Sequence, residues 1–216
     1  MSNKISNFVP ANNSSDLGRV QFVIDAALSG LRVAMPVKVM SVTNNGGVSA
    51  IGTVSILPLV NAKDGGGNAV PHGTIYNVPY MRIQGGTNAV ILDPQVGDIG
   101  LAVVCDRDIS AVQNTQAQAP AGSSRKHDMS DFIYVMTVIS AKVPTQYVQF
   151  NSSGITVTSP NTIIINANEV DINAATIKMN GSVITTGTLT NNGHSVGSNH
   201  VHSGVTPGGS NTGIPT

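Results

Sequence analysis

The sequence predicts an all-β protein made of two kinds of β-structure: an OB-fold-like barrel, then an intertwined trimeric β-helix that ends in a metal-bound tip. The first observation is composition, because only 10% of the residues are charged against a usual figure of about 25%, while 23 glycines and 11 prolines supply many turns. The second is a short apolar repeat in the C-terminal part. The third is charge distribution, since only Glu169, Asp171 and Lys178 are charged after Lys142.

The repeat consists of apolar residues two positions apart, separated by Asn, Ser, Thr, Gly and Asp. Its pairs are Val148 and Phe150, Ile155 and Val157, Ile163 and Ile165, Val170 and Ile172, and Ile177 and Met179. The first members of successive pairs are 7 or 8 residues apart. Because strand side chains alternate between two faces, each pair places two side chains on one face of a short strand. A helical period would scatter them around its surface.

These five pairs, called the apolar pairs below, give too few side chains for one chain to enclose a core. Stacked repeats share one continuous core, and a single-chain β-helix needs coils of roughly 18 residues or more. At 7 or 8 residues per strand, three chains can each supply one side of a triangular prism with the pairs facing its axis. We therefore expect a homotrimer. An up-and-down antiparallel sheet with tight hairpins is the alternative.

The N-terminal part predicts a helix followed by five strands. Asp16 is expected to cap the helix, which has apolar positions at helical spacing and Gly30 as its end. Asn44–Gly47 is a hairpin signal between the first two strands. The expected strands are Val37–Val42, Val48–Pro58, Asn88–Leu92, Ile99–Asp106 and Asp131–Val143. Five strands in about 110 residues indicate a small Greek-key barrel of the OB type, with a five-stranded sandwich as the alternative.

The expected domain organisation follows from these patterns. It comprises a flexible arm over residues 1–16, an OB-type domain over 17–142, a β-helical shaft over 143–183 and a tip over 184–216. Glycines and small polar residues in the tip allow three chains to approach one axis, although the same composition marks disordered segments.

Several classes of function are disfavoured by composition. A net charge of +0 gives no electrostatic footprint for nucleic acid. The lone Cys105 follows an apolar run, which favours a buried structural thiol over a reactive one. No apolar run approaches the roughly 18 residues of a membrane helix, and the N-terminus lacks a signal-peptide layout.

The N-terminal part contains a series of short motifs: Leu28–Arg32 followed by Met35–Val37, then Asn77–Pro79, Val96–Asp98, Asp106–Ile109 and Arg125–Asp131. In this order they resemble the first domain of baseplate central-spike proteins from contractile-tailed bacteriophages. The shaft and chain end resemble the membrane-piercing spikes of Mu-like phages. The resemblance implies an OB-fold collar that docks on the tail hub, a shaft, and a tip that breaches the host outer membrane. It also implies synthesis in the host cytoplasm and a place at the tip of the virion tail.

His200 and His202 are the candidate metal ligands. In an extended strand both imidazoles point the same way, although two histidines at this spacing are usually surface residues. Threefold symmetry would bring six neutral nitrogen ligands to one axis, an octahedron that suits a first-row transition ion such as iron rather than tetrahedral zinc. The related spikes carry iron at such a position, so the resemblance implies one structural iron ion per trimer. His194 has no partner two residues on and is left outside the site.

Two further readings compete with a mechanical spike. One is a β-helical tailspike that binds or cleaves surface polysaccharide, which would need two carboxylates facing one cleft. The shaft offers only Glu169 and Asp171, which alternate with Val170 and Ile172 and are expected to point outward. Neither these residues nor Arg107 and His127, which are expected to be loop charges, make a catalytic site, so we expect no enzyme. The other reading is a baseplate or secretion-needle adaptor that never touches a membrane.

Overall fold

The computed structural model describes residues 15–44, 46–64, 66–197, 200, 204 and 208–209. The chain divides into two compact units, Met1–Tyr147 and Val148–Thr216, and each is described separately below. The regular secondary structure of the described residues is mostly β-strand with few helices, which agrees with the all-β prediction. No helix among them is long and apolar enough to cross a membrane.

The elements of the first unit follow the chain in this order: α1 Asp16–Gly30, β1 Ala34–Val42, β2 Thr53–Pro58, β3 Ala62–Lys63, β4 Ala69–Val70, β5 Ile75–Pro79, β6 Ile83–Gly85, β7 Asn88–Val90, β8 Ile99–Val104, α2 Ser110–Thr115, a 3₁₀ turn Met129–Asp131 and β9 Phe132–Ile139. The helix ends at Gly30 as predicted. Its cap is Ser15 rather than Asp16, because the Ser15 hydroxyl accepts a hydrogen bond from the Gly18 amide at 3.0 Å.

Five strands form one antiparallel sheet in the order β5-β2-β1-β8-β9. The predicted hairpin between β1 and β2 is present. Strand β2 begins at Thr53 and not at Val48, because side chains bind the preceding carbonyls: Asn44 Nδ2 donates to Ala50 O at 2.8 Å, and Arg82 donates to Ser49 O. The fifth member is β5, which the sequence did not predict. The predicted Asn88 strand pairs with β6 in a separate hairpin.

The core of the first unit lies against one face of this sheet. In β2 alternate residues are buried, as the period of a strand requires. The buried apolar side chains are Val37, Val39, Val54, Ile56, Val78, Tyr80, Ala102, Val104, Phe132 and Tyr134. Gly100 of β8 leaves room for this packing, because a Cβ there would overlap the Tyr134 hydroxyl and the Met136 carbonyl oxygen.

The two outer strands of the sheet meet at one point. Tyr80, just after β5, forms a parallel bridge with Tyr134 of β9, and the Met81 amide donates to Tyr134 O at 2.8 Å. The pairing goes no further, so among the described residues the sheet is not a continuously hydrogen-bonded closed barrel.

The second unit has little regular structure. Strands β10 Tyr147–Asn151 and β11 Gly154–Thr158 pair with each other, as do β12 Thr190–Asn191 and β13 His194–Ser195. The second pair turns through Asn192 and Gly193, both with positive φ, the usual conformation for an Asn-Gly hairpin. Residues 159–189 form neither helix nor strand.

Candidate functional site: the shaft and the tip

The apolar pairs of the shaft are exposed in the single chain. Their ten side chains range from 51% exposed at Ile177 to 75% at Phe150. The core side chains of the first unit, by contrast, are at most 8% exposed. Burying one such side chain contributes about 1.5–3 kcal/mol. The shaft therefore carries a periodic apolar surface without a core of its own.

Backbone geometry leads to the same conclusion. Between Thr158 and Thr190 the chain uses none of its amides and carbonyls in a helix or a strand. Such groups are strong donors and acceptors that need partners once water is excluded. A segment with exposed apolar pairs and backbone groups outside regular structure has the two requirements for β-pairing with other chains.

The single chain does not distinguish the inward from the outward residues of a strand. Ile165, predicted to face the axis, is 71% exposed, and Ile164, predicted to face solvent, is 72% exposed. Glu169 and Asp171 are exposed as well. Asp171 accepts a hydrogen bond from Asn173 Nδ2 at 3.2 Å. Exposure in the single chain therefore does not test the predicted assignment of inward and outward positions.

At the tip, the described geometry concerns His200. Its backbone amide donates to Gly197 O at 3.2 Å, and its Nδ1 lies 2.8 Å from the same carbonyl oxygen. Because a carbonyl oxygen only accepts, Nδ1 of the neutral ring carries the proton and Nε2 carries the lone pair. Metal-ligating histidines commonly use one nitrogen to donate to a carbonyl in this way and the other to bind the ion. The His200 ring therefore fits a ligand role.

The structure does not bring the other histidines of the tip together with His200 in the described residues. His202, the second predicted ligand, lies outside the described residues. His194 is in β13, opposite Asn191, where it belongs to the Asn-Gly hairpin. Within the part of the chain that the structure describes, no three histidine, cysteine or acidic side chains gather as a metal site. A site made of the same residue from several chains would not be visible in one chain.

A charged cluster that sequence reasoning missed joins the loops between β8 and β9. Arg125 Nη2 lies 2.9 Å from Asp108 Oδ2, and its Nε lies 3.2 Å from Asp131 Oδ2. Both carboxylates are buried. Hydrogen bonds from Ser110 and Ser123, with the Arg125 charge adding to them, lower the pKa of Asp108 from 3.8 to about 2. The only sequence signal was that these residues fall in the resemblance motifs.

The neighbours of this cluster have ordinary loop roles. Arg107 is exposed and 3.9 Å from Asp106, and the His127 amide donates to Asp106 O at 3.3 Å from a backbone with φ 50°. Cys105 is half-buried rather than fully buried, and burial raises the pKa of its thiol. A raised thiol pKa lowers the thiolate fraction, which agrees with a structural cysteine.

A second buried ion pair fixes the loop after β5. Arg82 Nη2 donates to both oxygens of Asp93, at 2.7 and 2.8 Å, and Arg82 Nη1 donates to Ser49 O at 2.6 Å. A cavity of about 400 Å³ lies beside the pair, with Met81 and Met136 in its wall. Because Arg82 occupies both oxygens of Asp93, the pair holds loops together and presents no reactive group to the cavity.

In comparisons with known proteins, no protein-family model matches the chain, and no curated protein matches it.

Proposed function

We propose that this protein is the central spike of a contractile phage tail, a non-enzymatic homotrimer that punctures the host outer membrane when the sheath contracts. The observation that carries the proposal is the exposure of all five apolar pairs, the last three of which lie in residues 159–189, a segment without helix or strand. Further copies of the same chain would carry apolar pairs at the same spacing and could cover this surface. Three chains in register supply them through a closed threefold arrangement.

The proposed shaft explains how a polar protein could act as a needle. With three chains intertwined, the backbone groups of residues 159–189 pair between chains, and the shaft has no free lateral edge. The apolar pairs fill the axis, while Asn, Ser and Thr face outward. Stiffness then comes from hydrogen bonds across the chains. Force from the sheath, rather than partition of the spike into lipid, supplies the work.

The N-terminal domain is proposed to be an OB-fold collar that docks on the tail hub. Its support is the strand order β5-β2-β1-β8-β9 together with the parallel bridge between Tyr80 and Tyr134. That order places a meander of β1, β2 and β5 beside the later strands β8 and β9, and the bridge joins the two outer strands, as closure of a five-stranded Greek-key barrel would require. The resemblance motifs at Asp106–Ile109 and Arg125–Asp131 form the charged cluster between β8 and β9.

The tip is proposed to hold one iron ion per trimer through His200 and His202 of all three chains. The contact of His200 Nδ1 with Gly197 O supports this, because it favours the tautomer whose Nε2 can ligate. The ion would be structural: six nitrogen ligands leave no position for substrate, and the bound ion would fasten a segment with little apolar core. Iron is favoured over zinc by the ligand number.

The decisive experiment is the mass of the untagged protein in solution. We expect three times the chain mass of 22.2 kDa, stable to dilution. A particle of 22.2 kDa would remove the shaft, the metal site and the spike together.

Two further assays separate the remaining readings. Release of dye from vesicles made of outer-membrane lipid, when the protein is driven against them by contracting tails, distinguishes a spike from an adaptor. Release of reducing sugar from host surface polysaccharide would instead support the tailspike reading, in which Glu169 and Asp171 would be the only shaft carboxylates available.

A further inference from the structure

Helix α1 is the second apolar surface of this chain without a core. The apolar side chains on one side of the helix are exposed, from 79% at Leu17 to 46% at Ile24, and Leu31 just after the helix is 45% exposed. An isolated helix of 15 residues is marginal in water, so packing of an apolar face normally provides its stability. With these exposures, the face of α1 that carries Leu17, Val20 and Ile24 is largely uncovered in the single chain.

The exposed side chains are ordered as a coiled-coil seam. Leu17, Val20, Ile24, Ala27 and Leu31 follow steps of 3, 4, 3 and 4 residues. This is the spacing of a and d positions in a heptad. The seam contains no charged residue. The partly buried positions of the helix, Gly18, Phe22 and Asp25, all lie on its opposite side, turned away from the seam.

Polar contacts of the helix also avoid the seam. Asp16 and Arg19 form an ion pair at 3.6 Å, and Gln21 donates to Asp25 at 2.9 Å. These pairs join successive turns of the same helix. Of the e and g positions that flank the seam, Asp16 and Gln21 near the start of the helix are polar, whereas Val23 and Leu28 in its second half are apolar and 64% and 60% exposed. The apolar stripe is therefore wider than a two-stranded coiled coil needs, which suits three helices better.

We propose that α1 packs against the α1 helices of two further copies of this chain, forming a parallel three-helix bundle. This inference rests on the proposed trimer. Threefold rotation makes the three helices parallel and in register, the arrangement in which a meets a and d meets d. Shaft assembly would also raise the local concentration of α1 to roughly millimolar, which offsets the marginal stability of a short helix. The trimer would then be closed at a second place, separate from the apolar pairs.

Cysteine crosslinking in the full-length protein tests this packing. In a Cys105→Ser background, Ile24→Cys and Ala27→Cys place a thiol in the seam, and Arg19→Cys places one on the outer side. A disulfide needs Cα atoms about 4.4–6.8 Å apart, a separation that in-register seam positions approach and outer positions exceed. After mild oxidation and full denaturation without reductant, we expect a crosslinked dimer band from both seam variants and little from Arg19→Cys. Ala27→Cys changes side-chain volume little and so guards against a misfolded Ile24→Cys.

The outcomes separate this inference from the proposed function. A crosslink confined to the seam variants, in a particle with the mass of a trimer, supports the bundle. A trimer in which seam and outer variants crosslink equally, or in which none crosslinks, overturns the bundle and leaves the spike proposal intact. A monomer in solution overturns both.

Discussion

At the scale of single residues, buried charge holds the loops of the first unit. Arg125 forms ion pairs with Asp108 and Asp131, and Arg82 forms one with Asp93. A buried carboxylate is costly unless it is paired and hydrogen-bonded, and each of these is. Arg125 thus connects two parts of the loop between β8 and β9, and Arg82 connects the base of the β6–β7 hairpin to the loop before β2.

Acid should weaken this unit through Asp108. Its folded pKa is about 2, below its ordinary value of 3.8, so the stability it contributes is present above 3.8 and is lost as pH falls from 3.8 towards 2. Asp128, whose pKa is also lowered, chiefly by the Ser130 amide, acts in the same direction. Urea unfolding at about pH 5 and about pH 2.5 should show a smaller pH effect in Asp108→Asn than in the natural chain. An unchanged pH effect in that variant would contradict the assignment, and Asp16→Asn in α1 is the control.

Gly100 provides a second test at this scale. Gly100→Ala would push a methyl group against the Tyr134 hydroxyl and the Met136 carbonyl oxygen. Overpacking of this kind costs about 1–3 kcal/mol in the free energy of unfolding. Gly73→Ala, where nothing lies within 4 Å of the added atom, is the matched control and should change stability little. Urea unfolding of both variants measures the difference; similar losses would mean that close packing at β8 is not the cause.

At the scale of elements, alternating apolar residues are buried in the strands of the first unit and exposed in those of the second. In the sheet of the first unit, β1 and β2 bury alternate side chains within one chain. In β10 and β11 the same alternation leaves apolar side chains exposed. The same strand-forming pattern is therefore buried in one unit and exposed in the other. A short strand is stable only when another layer covers its apolar face.

The direction of the shaft side chains can be tested with neighbouring isoleucines. In the proposed trimer Ile165→Asp places three carboxylates on the axis, which costs several kcal/mol per site. Ile164→Asp places the same charge in solvent. We expect loss of the heat- and SDS-resistant trimer for the first variant only, measured on unboiled gels. Equal exposure of the two residues in the single chain makes them a matched pair, and equal effects would refute the face assignment.

At the scale of the whole molecule, the two units are expected to fold by different means. The first has its own buried core, whereas the second exposes its apolar pairs. A fragment of residues 143–216 should therefore trimerise alone, and a fragment of residues 1–142 should keep a β-type circular dichroism spectrum and associate weakly. Light scattering gives both masses. A C-terminal fragment that stays monomeric and unfolded would show that the boundary or the intertwining is wrong.

The proposed metal belongs to this scale because its site would take ligands from three chains. Elemental analysis of untagged protein should find close to one ion, chiefly iron, per three chains. Replacing His200 and His202 with alanine should remove the ion and leave the shaft trimer, which the apolar pairs hold. Proteolysis should then begin beyond residue 182. One ion per chain, or retention of the ion by the double variant, would place the ligands elsewhere.

The sequence alone determined what depends on near neighbours. The helix ending at Gly30, the β1–β2 hairpin and the all-β composition follow from capping, turn and alternation patterns within a few residues. The sequence also identified the apolar pairs, because their regular spacing along the chain is visible without the fold. The candidate ligands came from a spacing of two and from a resemblance, and the geometry of His200 adds its tautomer.

Only the tertiary structure decided what depends on residues far apart in the chain. It recruited β5 into the sheet and left the Asn88 strand outside, because pairing with β2 is a long-range choice that local propensity does not encode. It shortened β2 at Thr53, since Arg82 and Asn44 bind the carbonyls before it. It also brought Arg125 to Asp108 and Arg82 to Asp93, whose pairing rests on the folded loops and on no sequence spacing.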